Sequence, residues 1–501
     1  MPGGKVGGVG DVIRDLPRAL AARGDAVTVV IPAYGMFNRL PGATKQAELN
    51  VDFGGSVHQA EVWALPVTET GVSQLVIEHP LLSPDGPGKI YCNDGPDRPF
   101  ATDAGKFAFF SATVATLVQQ MPELPDVVHL HDWHAALYLV LREADPVFSQ
   151  LRTLRTVFTI HNLAYQGIRP LANDASAFKT WFPGLQVSAD MIGDPRYADC
   201  VNPMATAIRL ADKLNTVSAT YAREIIQPND PARGFDGGEG LDQILREAAD
   251  AGRLTGILNG CEYPARRGRR PGWDRLRVVA AEAVDDWGAT APSALQVASG
   301  ERIAQLPRRR PAIVLTSVAR LTPQKCALFL QPMTDSRTPL AAILETLGRR
   351  GVLILLGSGD SALEQQMQQM QVEHKNFLFL CGYSDALSSM LYQAGDFFLM
   401  PSSFEPCGIS QMLAMRSGQP CVAHAVGGLR DTIDPPHTGL LFSGDTPTAQ
   451  ADAFFASVRQ ACQLKVDAPD DWRAMSKAAA AQRFSWDVAA ERYRTELYEP
   501  D

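Results

Sequence analysis

Two cations and one carboxylate in the second half of the sequence have residue types and positions that suit the binding of a phosphorylated sugar. Arg320 and Lys325 follow a predicted buried strand, and Glu405 follows a second one, Phe397 to Met400. In open sheets of parallel strands, ligands bind at the carboxyl ends of the strands. Cations at that edge would neutralise a pyrophosphate, and the carboxylate would accept hydrogen bonds from sugar hydroxyls. The alternative is that each cation is an ordinary surface charge.

Three further features follow predicted strands in the same half of the chain. A glycine loop, Gly357-Ser-Gly-Asp360, comes after one strand, and Tyr383 comes after the next, where its ring would stack on a base. Cys407-Gly408 opens a predicted helix whose free N–H groups favour an anion. For this last loop the alternative is that Glu405 only caps the helix, which is worth about 1 kcal/mol. Taken together, these features indicate a nucleotide-sugar site.

Polar residues also follow two predicted strands of the first half. Asp132 and His161 each stand just past a strand and are candidates for polar contacts to a substrate. An isolated aspartate at a helix start is, alternatively, a helix cap. Neighbouring histidines suggest a metal cluster, but neither a closing cysteine nor a regular ligand spacing follows, so we expect no metal. These histidines are His129, His131, His134 and His161.

The N-terminus is a glycine-rich loop around Lys5 that leads into a helix at about Asp11. It fits neither the Walker A pattern nor G-x-G-x-x-G. Flexible backbone of this kind lets a phosphate or a sugar approach closely. The alternative is a frayed terminus. The glycines are Gly3, Gly4, Gly7, Gly8 and Gly10.

The elements that must position these residues form an α/β pattern. Strands, loops and helices alternate in both halves, which predicts parallel sheets. With 501 residues, the chain is too long for a single core. The stretch 261–311 is rich in Arg and Pro and is predicted to be a linker near a domain boundary. Its arginine runs are either a solvated surface or a polyanion-binding surface, and we favour the former.

Composition excludes several classes of protein. The net charge of −9 disfavours a nucleic-acid binder. No apolar run approaches the roughly 20 residues that span a bilayer, so we expect no membrane partner. The eight cysteines are scattered, as in a reduced protein. The first residues lack the apolar region of a signal peptide, so the sequence predicts a cytoplasmic protein.

A series of motifs running in order over nearly the whole chain resembles the bacterial glycogen (starch) synthases, which are retaining glycosyltransferases of the GT-B class. The motifs are Lys5-Val-Gly-Gly-Val-Gly-Asp11, His129-Leu-His-Asp-Trp-His134, Thr159-Ile-His-Asn-Leu-Ala-Tyr-Gln-Gly167, Thr216-Val-Ser-Ala-Thr-Tyr-Ala222, Gly256-Ile-Leu-Asn-Gly260, Arg320-Leu-Thr-Pro-Gln-Lys325, Pro401 to Gly408, and Gly427-Gly-Leu-Arg-Asp-Thr432.

The resemblance implies two Rossmann-like domains that face each other across a cleft. They would comprise residues 1–256 and 257–484, with the linker at 261–311, and a last helix at 485–501 would cross back to the first domain. The implied activity is transfer of glucose from ADP-glucose to the non-reducing end of an α-1,4-glucan such as glycogen, with retention of configuration. No cofactor is implied.

Residue roles follow from the same resemblance. Arg320 and Lys325 bind the diphosphate and stabilise its charge as it leaves, and Glu405 holds the transferred glucose. The other implied contacts are Lys5 with Gly7 and Gly8 at the phosphate and sugar, Asp11 and Asn259 lining the donor site, Tyr383 at the adenine, Cys407 and Gly408 at the anion-binding helix start, and His161 and Asp132 beside the reacting glucose and acceptor.

Departures from the family pattern keep other functions open. Relatives usually have an apolar strand ahead of the glycine loop; its loss would loosen the loop that holds Lys5 and motivates a truncated or inactive glucan-binding homologue. Cys261-Glu262 and Cys326 also differ from the usual residues, which bears on the geometry of the donor site. A retaining enzyme that uses UDP-glucose is a further alternative. A phosphorylase would need pyridoxal phosphate, for which no motif is present.

Overall fold

The computed structural model describes residues 7–67, 71–95, 97–263, 270–289 and 293–500 of the chain. Internal contacts divide the chain into two compact units. Unit 1 comprises Met1–Asn229, Gly237–Gly260 and Trp486–Asp501, and unit 2 comprises Asp230–Asp236 and Cys261–Ser485.

Strands and helices alternate along most of the chain. The strands are β1 (Val27–Pro32), β2 (Thr44–Phe53), β3 (Ser56–Ala64), β4 (Val72–Glu78), β5 (Val127–His131), β6 (Arg155–Ile160), β7 (Arg169–Pro170), β8 (Cys200–Val201), β9 (Lys213–Thr216), β10 (Leu254–Gly256), β11 (Ile313–Val318), β12 (Gly351–Leu356), β13 (Phe377–Leu380), β14 (Phe397–Met400), β15 (Cys421–His424) and β16 (Gly439–Phe442).

The helices belong to both units, with α9 to α18 in unit 2 and the remainder in unit 1. They are α1 (Val9–Ala21), α2 (Ala101–Gln119), α3 (Leu137–Ala144), α4 (Phe178–Trp181), α5 (Ala189–Ile192), α6 (Pro203–Leu210), α7 (Ala219–Glu224), α8 (Asp242–Asp250), α9 (Trp273–Trp287), α10 (Ala294–Gln305), α11 (Pro323–Leu330), α12 (Pro339–Leu347), α13 (Ser361–Glu373), α14 (Asp385–Ala394), α15 (Ser410–Arg416), α16 (Gly427–Thr432), α17 (Pro447–Asp467), α18 (Pro469–Ala481) and α19 (Trp486–Arg492), and a π-helical turn follows at Tyr493–Tyr498.

Unit 1 contains two four-stranded sheets. One has the order β10-β9-β6-β5 and is parallel throughout, as the sequence predicts. The other has the order β1-β4-β3-β2, and in it only β1 and β4 are parallel. In β2, Leu49 and Val51 are buried while Glu48, Asn50 and Asp52 are exposed. This alternation is the period-2 pattern of a strand with one face on the core.

The first and last helices of unit 1 share one hydrophobic cluster. Val12 and Leu16 of α1 pack in it with Trp486 of α19 and with Tyr493 and Leu497 of the turn that follows. In α1, buried residues recur every three or four positions, which is the period of a helix with one apolar face. The C-terminal segment is therefore part of the core of this unit.

Unit 2 is built on a six-stranded parallel sheet with the order β13-β12-β11-β14-β15-β16. The chain moves outward from β11 to β13, returns to the other side of β11, and moves outward again from β14 to β16. Adjacent strands β11 and β14 therefore form the topological switch point of a doubly wound sheet, where ligands bind. Alternate side chains of β11 and β12 pack into two separate clusters, one on each face. The predicted α/β class with parallel sheets is confirmed.

The stretch 261–311 is not the linker that its composition suggests. It contains α9 and α10, and α9 buries Trp273, Leu276, Val279 and Val284 against one face of the six-stranded sheet. The arginine and proline residues near its two ends dominate its composition, although the residues between them have an apolar pattern of helical period. The residues 264–269, which include most of the first arginine run, lie outside the described residues.

No helix in the described ranges combines the length and the apolar character that a membrane crossing requires.

Candidate functional site

The loops after β11 and β14 place Lys325 and Glu405 at the switch point of the sheet in unit 2. The two strands are paired in parallel, with Leu315 beside Phe397. Lys325 stands in the first turn of α11, and its ammonium forms an ion pair with the Glu405 carboxylate. The structure thus brings together two residues that are 80 positions apart in the chain.

Glu405 is buried, with 5% of its surface exposed. Its Oε2 accepts a hydrogen bond from the Ser402 hydroxyl at 3.1 Å and also faces Lys325. Both of these contacts are made by Oε2, which leaves Oε1 able to accept a hydrogen bond from a ligand. The carboxylate does not cap the next helix, because α15 begins at Ser410 without a side-chain cap.

The backbone around Glu405 is fixed from two sides. The Gln324 side chain donates to the carbonyl of Phe404 at 2.8 Å, and Gly428 N–H donates to the carbonyl of Glu405 at 3.0 Å. Gly427 has φ +43°, and a Cβ there would lie 2.0 Å from the Glu405 carbonyl oxygen. Only glycine fits such a position, so the start of α16 sets the place of the carboxylate.

The start of α11 has the chemistry of a phosphate site. Thr322 is its N-cap residue, yet its side chain caps nothing, and its buried Oγ1 lacks a hydrogen-bond partner among the described residues. The exposed Arg320 precedes it, and the Leu321 N–H donates to the carbonyl of Ser358 at 3.0 Å. Helix N–H groups, a hydroxyl and two cations therefore lie along one short segment, a combination that favours a diphosphate.

Other predicted residues of unit 2 lie at the same edge. Tyr383 is 62% exposed, its hydroxyl donates to Asp385, and its carbonyl accepts from the Trp287 indole at 2.8 Å. The indole thus anchors the backbone at Tyr383, while most of the side-chain surface is exposed. Cys407 is buried, and Gly408 has φ +73° directly before α15. Asp360 of the glycine loop caps α13.

Asp132 and His161 lie together in unit 1, after the paired strands β5 and β6. Asp132 Oδ1 accepts from the backbone N–H of His161 at 2.7 Å. Asp132 has φ +54°, a conformation that costs a non-glycine residue on the order of 1–3 kcal/mol and is found mainly at functional sites. Burial raises the pKa of its carboxyl to about 7, although backbone N–H groups of His161 and Asn162 oppose the shift.

The histidines of this region form a hydrogen-bonded group. His131 Nδ1 and His161 Nε2 are 3.0 Å apart, and His129 bonds to the Tyr498 hydroxyl at 2.8 Å and to Thr159 at 2.7 Å. Burial lowers the pKa of each of the three, for His131 to about 4, so the rings are neutral at pH 7. Within the described ranges, no group of three or more His, Cys, Asp or Glu is placed to hold a metal ion.

The remaining predicted residues of unit 1 stand at two places. Gly7 and Gly8 precede α1, where Gly8 is the N-cap and nothing lies within 4 Å of a Cβ added at either one. Asp11 is in the first turn of α1, 3.3 Å from Arg14. Asn259 follows β10 and is buried, and its Oδ1 has no partner in the described part of the chain. Lys5 lies outside the described residues.

Two further candidates for the site are absent from the sequence-based prediction. Ser402 donates a hydrogen bond to the carboxylate of Glu405, and Thr322, which lies between Arg320 and Lys325 in the chain, has an unpartnered hydroxyl among the described residues. Both stand within three residues of a predicted site residue, directly after a strand or before a helix. A hydroxyl residue at such a position is the feature of the sequence that could have identified them, although most such residues serve only as helix caps.

Comparison with families of known proteins gives two matches that cover most of the chain. Residues 1–247 match the family described as the starch synthase catalytic domain. Residues 314–459 match the family described as glycosyl transferases group 1.

Curated relatives match over nearly the full length. The glycogen synthase of Anaeromyxobacter dehalogenans strain 2CP-C is 34% identical, over 98% of this chain and 96% of the relative. The glycogen synthase of Streptococcus sanguinis strain SK36 is 32% identical, over 99% of this chain and 97% of the relative. Among solved structures, the catalytic domain of starch synthase IV from Arabidopsis thaliana, bound to ADP and acarbose, matches with a TM-score of 0.76 and 26% identity, over 99% of this chain and 96% of that one.

Proposed function

The chain belongs to the glycogen synthase family of GT-B glycosyltransferases, and from this membership we propose that it transfers glucose from ADP-glucose to the non-reducing end of an α-1,4-glucan, with retention of configuration. The solved starch synthase that it resembles was bound to ADP and acarbose, a nucleotide and a glucan-like ligand. Those two ligands support a nucleotide-sugar donor and a glucan acceptor for this chain.

The observation that carries the proposal is the ion pair between Lys325 and Glu405 at the switch point of the unit 2 sheet. Lys325 would face the diphosphate of the donor, together with Arg320 and the start of α11. Glu405 would accept hydrogen bonds from hydroxyls of the glucose. A cation and a carboxylate in contact therefore match the two halves of one donor molecule.

Charge stabilisation is the main catalytic contribution that these residues can make. In the reaction, the bond between the glucose C1 and the diphosphate oxygen breaks, and C1 bonds to the 4-hydroxyl oxygen of the acceptor, whose proton passes to the departing diphosphate or to solvent. Negative charge grows on ADP as it leaves. Lys325, which is held by Glu405, and the exposed Arg320 would face that charge, and preorganised charge is usually the largest catalytic term. We assign no residue as a covalent nucleophile.

Asp132 and His161 would contact the reacting glucose and the acceptor. The pKa of Asp132 is about 7, so its carboxyl is partly protonated at neutral pH and can either donate to or accept from a sugar hydroxyl. Asn259, with its unpartnered Oδ1, would contribute a further acceptor to the donor site. All eight cysteines are free thiols, which supports a reaction in the cytoplasm.

The test is incorporation of labelled glucose into glycogen from ADP-glucose, with UDP-glucose under the same conditions. We expect clear incorporation, and faster from ADP-glucose. Faster incorporation from UDP-glucose would reassign the donor. Retention of the protein by glycogen on native gels, with no transfer from either donor and with a folded circular dichroism spectrum, would identify a glucan-binding homologue without activity and overturn the proposal.

A further inference from the structure

A fully buried carboxylate lies at the amino-terminal edge of the unit 2 sheet, at the opposite ends of the strands from Lys325. It is Asp396, which directly precedes β14. Its Oδ1 lies 3.2 Å from Arg270 and 3.2 Å from Lys465. Its Oδ2 lies 2.9 Å from Arg310 and accepts the N–H of Val314 at 2.8 Å. Three cations therefore surround one negative charge.

This cluster carries two positive charges more than its carboxylate can balance. One cation is enough to compensate a buried carboxylate, and each further cation adds desolvation and mutual repulsion. Lys465 reflects this, because burial, with repulsion from Arg270 and Arg310, lowers its pKa in spite of the contact with Asp396. A structure that needed only to neutralise Asp396 would not require all three.

The three cationic side chains contact backbone carbonyls or an aromatic ring and are also partly exposed. One Arg270 nitrogen donates to the carbonyls of Ala394 and Gly395, both at 2.7 Å. The Lys465 ammonium lies 3.0 Å from the centre of the Trp472 ring. The side chains of Arg270, Arg310 and Lys465 are nevertheless 40%, 32% and 18% exposed. Arg310 also donates to the carbonyls of Pro311 and Ala394, at 3.1 and 3.2 Å. Part of each of the three cationic side chains therefore remains accessible to solvent.

We propose that Arg270, Arg310 and Lys465 bind a phosphate dianion, either free or carried by a small phosphomonoester. A dianion would balance the two surplus charges, and guanidinium groups match the oxygens of a tetrahedral phosphate in paired hydrogen bonds. Arg308 and Arg309 directly precede Arg310 and are exposed, which raises the positive potential at this edge. The site is separate from the donor site and does not depend on the proposed transfer.

The competing explanation is that the three cations only fasten the ends of the 261–311 segment to the sheet. Both explanations require a folded cluster, so stability alone does not separate them. Affinity for phosphate separates the two explanations. If the cations had only a structural role, Asp396 and the backbone carbonyls would occupy their donors and phosphate would not bind.

The experiment is calorimetric titration of the full chain with potassium phosphate at pH 7.5, against potassium chloride of equal ionic strength. Every protein in this experiment carries Lys325→Ala, which weakens phosphate binding at the proposed diphosphate site of the donor. This variant is the parent for the comparisons that follow. We expect one phosphate to bind, and Arg310→Gln in the same background to weaken binding at least tenfold. The matched control is Arg337→Gln, because Arg337 is an exposed arginine of the same unit that pairs with Asp335 and Glu345. It should bind phosphate within twofold of its parent.

Unchanged affinity in Arg310→Gln, or no binding by the parent, would overturn the site. If circular dichroism shows that Arg310→Gln does not fold, Arg310→Lys is titrated instead. This variant keeps the positive charge but loses the paired N–H donors of the guanidinium group. A loss of at least threefold supports the site, and an unchanged affinity overturns it. Parallel titration with glycerol 2-phosphate identifies the source, since tighter binding of that ester or of inorganic phosphate indicates which form the site prefers.

Discussion

Lys325 and Glu405 each hold a charge that the other compensates in a largely dry position. Removing the partner of a buried ion pair leaves an unbalanced charge, so the two residues act as one unit. Ser402 is the neighbour that remains to Glu405 if the ammonium is lost, through a hydrogen bond of 3.1 Å. The carboxylate is therefore expected to stay in place but to lose its electrostatic partner.

We predict that Lys325→Ala and Glu405→Ala each lower turnover by about 10²- to 10³-fold, which is the usual cost of removing one preorganised charge contact. The measurement is the initial rate of glucose transfer, with circular dichroism to verify the fold. Lys375→Ala is the control, because Lys375 is exposed in the same unit; its rate should stay within twofold. A near-normal rate in either site variant would remove that residue from its proposed role.

Asp132 makes the stability of unit 1 depend on pH. The pKa of its carboxyl is about 7 in the folded chain, against 3.8 for an aspartate in the unfolded chain. Between these two pH values the folded state therefore binds more protons than the unfolded state. Its contribution to the free energy of unfolding is therefore greatest below pH 4 and is lost as the pH rises through 7.

Asp132→Asn keeps an oxygen acceptor for the His161 N–H and removes the titration. We predict that, relative to the parent, this variant gains at least about 1 kcal/mol in the free energy of unfolding between pH 5 and pH 8. Urea unfolding at the two pH values measures it. The exposed Asp52→Asn should show no such difference, and equal pH dependence of Asp132→Asn and the parent would contradict the prediction.

Among the elements, the start of α16 decides where Glu405 lies. Gly427 has φ +43° and no room for a Cβ, because the Glu405 carbonyl oxygen would be 2.0 Å away. A side chain there has to displace the backbone of the loop that carries the carboxylate. Helix α16 has no predicted catalytic residue, yet its first residue determines the position of the loop that carries Glu405.

We predict that Gly427→Ala destabilises the protein by at least about 1–3 kcal/mol, the cost of a strained backbone position, and lowers the transfer rate. Thermal unfolding and the rate assay measure the two effects. Gly300→Ala is the matched control, because Gly300 lies inside α10 and its Cβ would meet only Val284 at 4.0 Å. It should raise stability by about 0.5–1 kcal/mol. Equal behaviour of the two variants would contradict this account.

The C-terminal turn is joined to the parallel sheet of unit 1 by hydrogen bonds as well as by packing. The Tyr498 hydroxyl bonds to His129, and the Tyr493 hydroxyl accepts from Asn215 at 2.9 Å. We predict that Tyr498→Phe lowers the free energy of unfolding by about 1 kcal/mol, since it leaves a buried ring nitrogen without its partner. Tyr197→Phe, at a side chain that is 55% exposed, should change it by less than half as much. Urea unfolding measures both, and an unchanged Tyr498→Phe would contradict the role of this bond.

For the whole molecule, each unit has its own buried core, so we expect two unfolding transitions in calorimetry. ADP should mainly raise the transition of unit 2, which contains Arg320, Lys325 and Tyr383. At a hundred times Kd the gain is about 2.7 kcal/mol, which corresponds to about 5–10 °C for a unit of this size. Lys325→Ala should reduce the shift. An equal shift of both transitions would contradict the placement of the diphosphate in unit 2.

Local pattern determined much of this protein. Apolar runs and helical spacing identified the strands of unit 2, and Arg320, Lys325 and Glu405 were predicted as ligand residues because each follows a strand. The family resemblance, confirmed by full-length relatives, supplied the activity. These inferences depend on residues close together in the chain, where period 2 and period 3.6 are visible.

Only the tertiary structure decided which distant residues meet. The contact of Lys325 with Glu405 follows from the crossover that places β14 beside β11, and strand order is not encoded in any local period. The composition of 261–311 predicted a linker, whereas burial on the sheet makes α9 a core helix. No sequence motif identified Asp396, yet the fold buries it in contact with three cations, because the amino ends of neighbouring strands and α17 meet there.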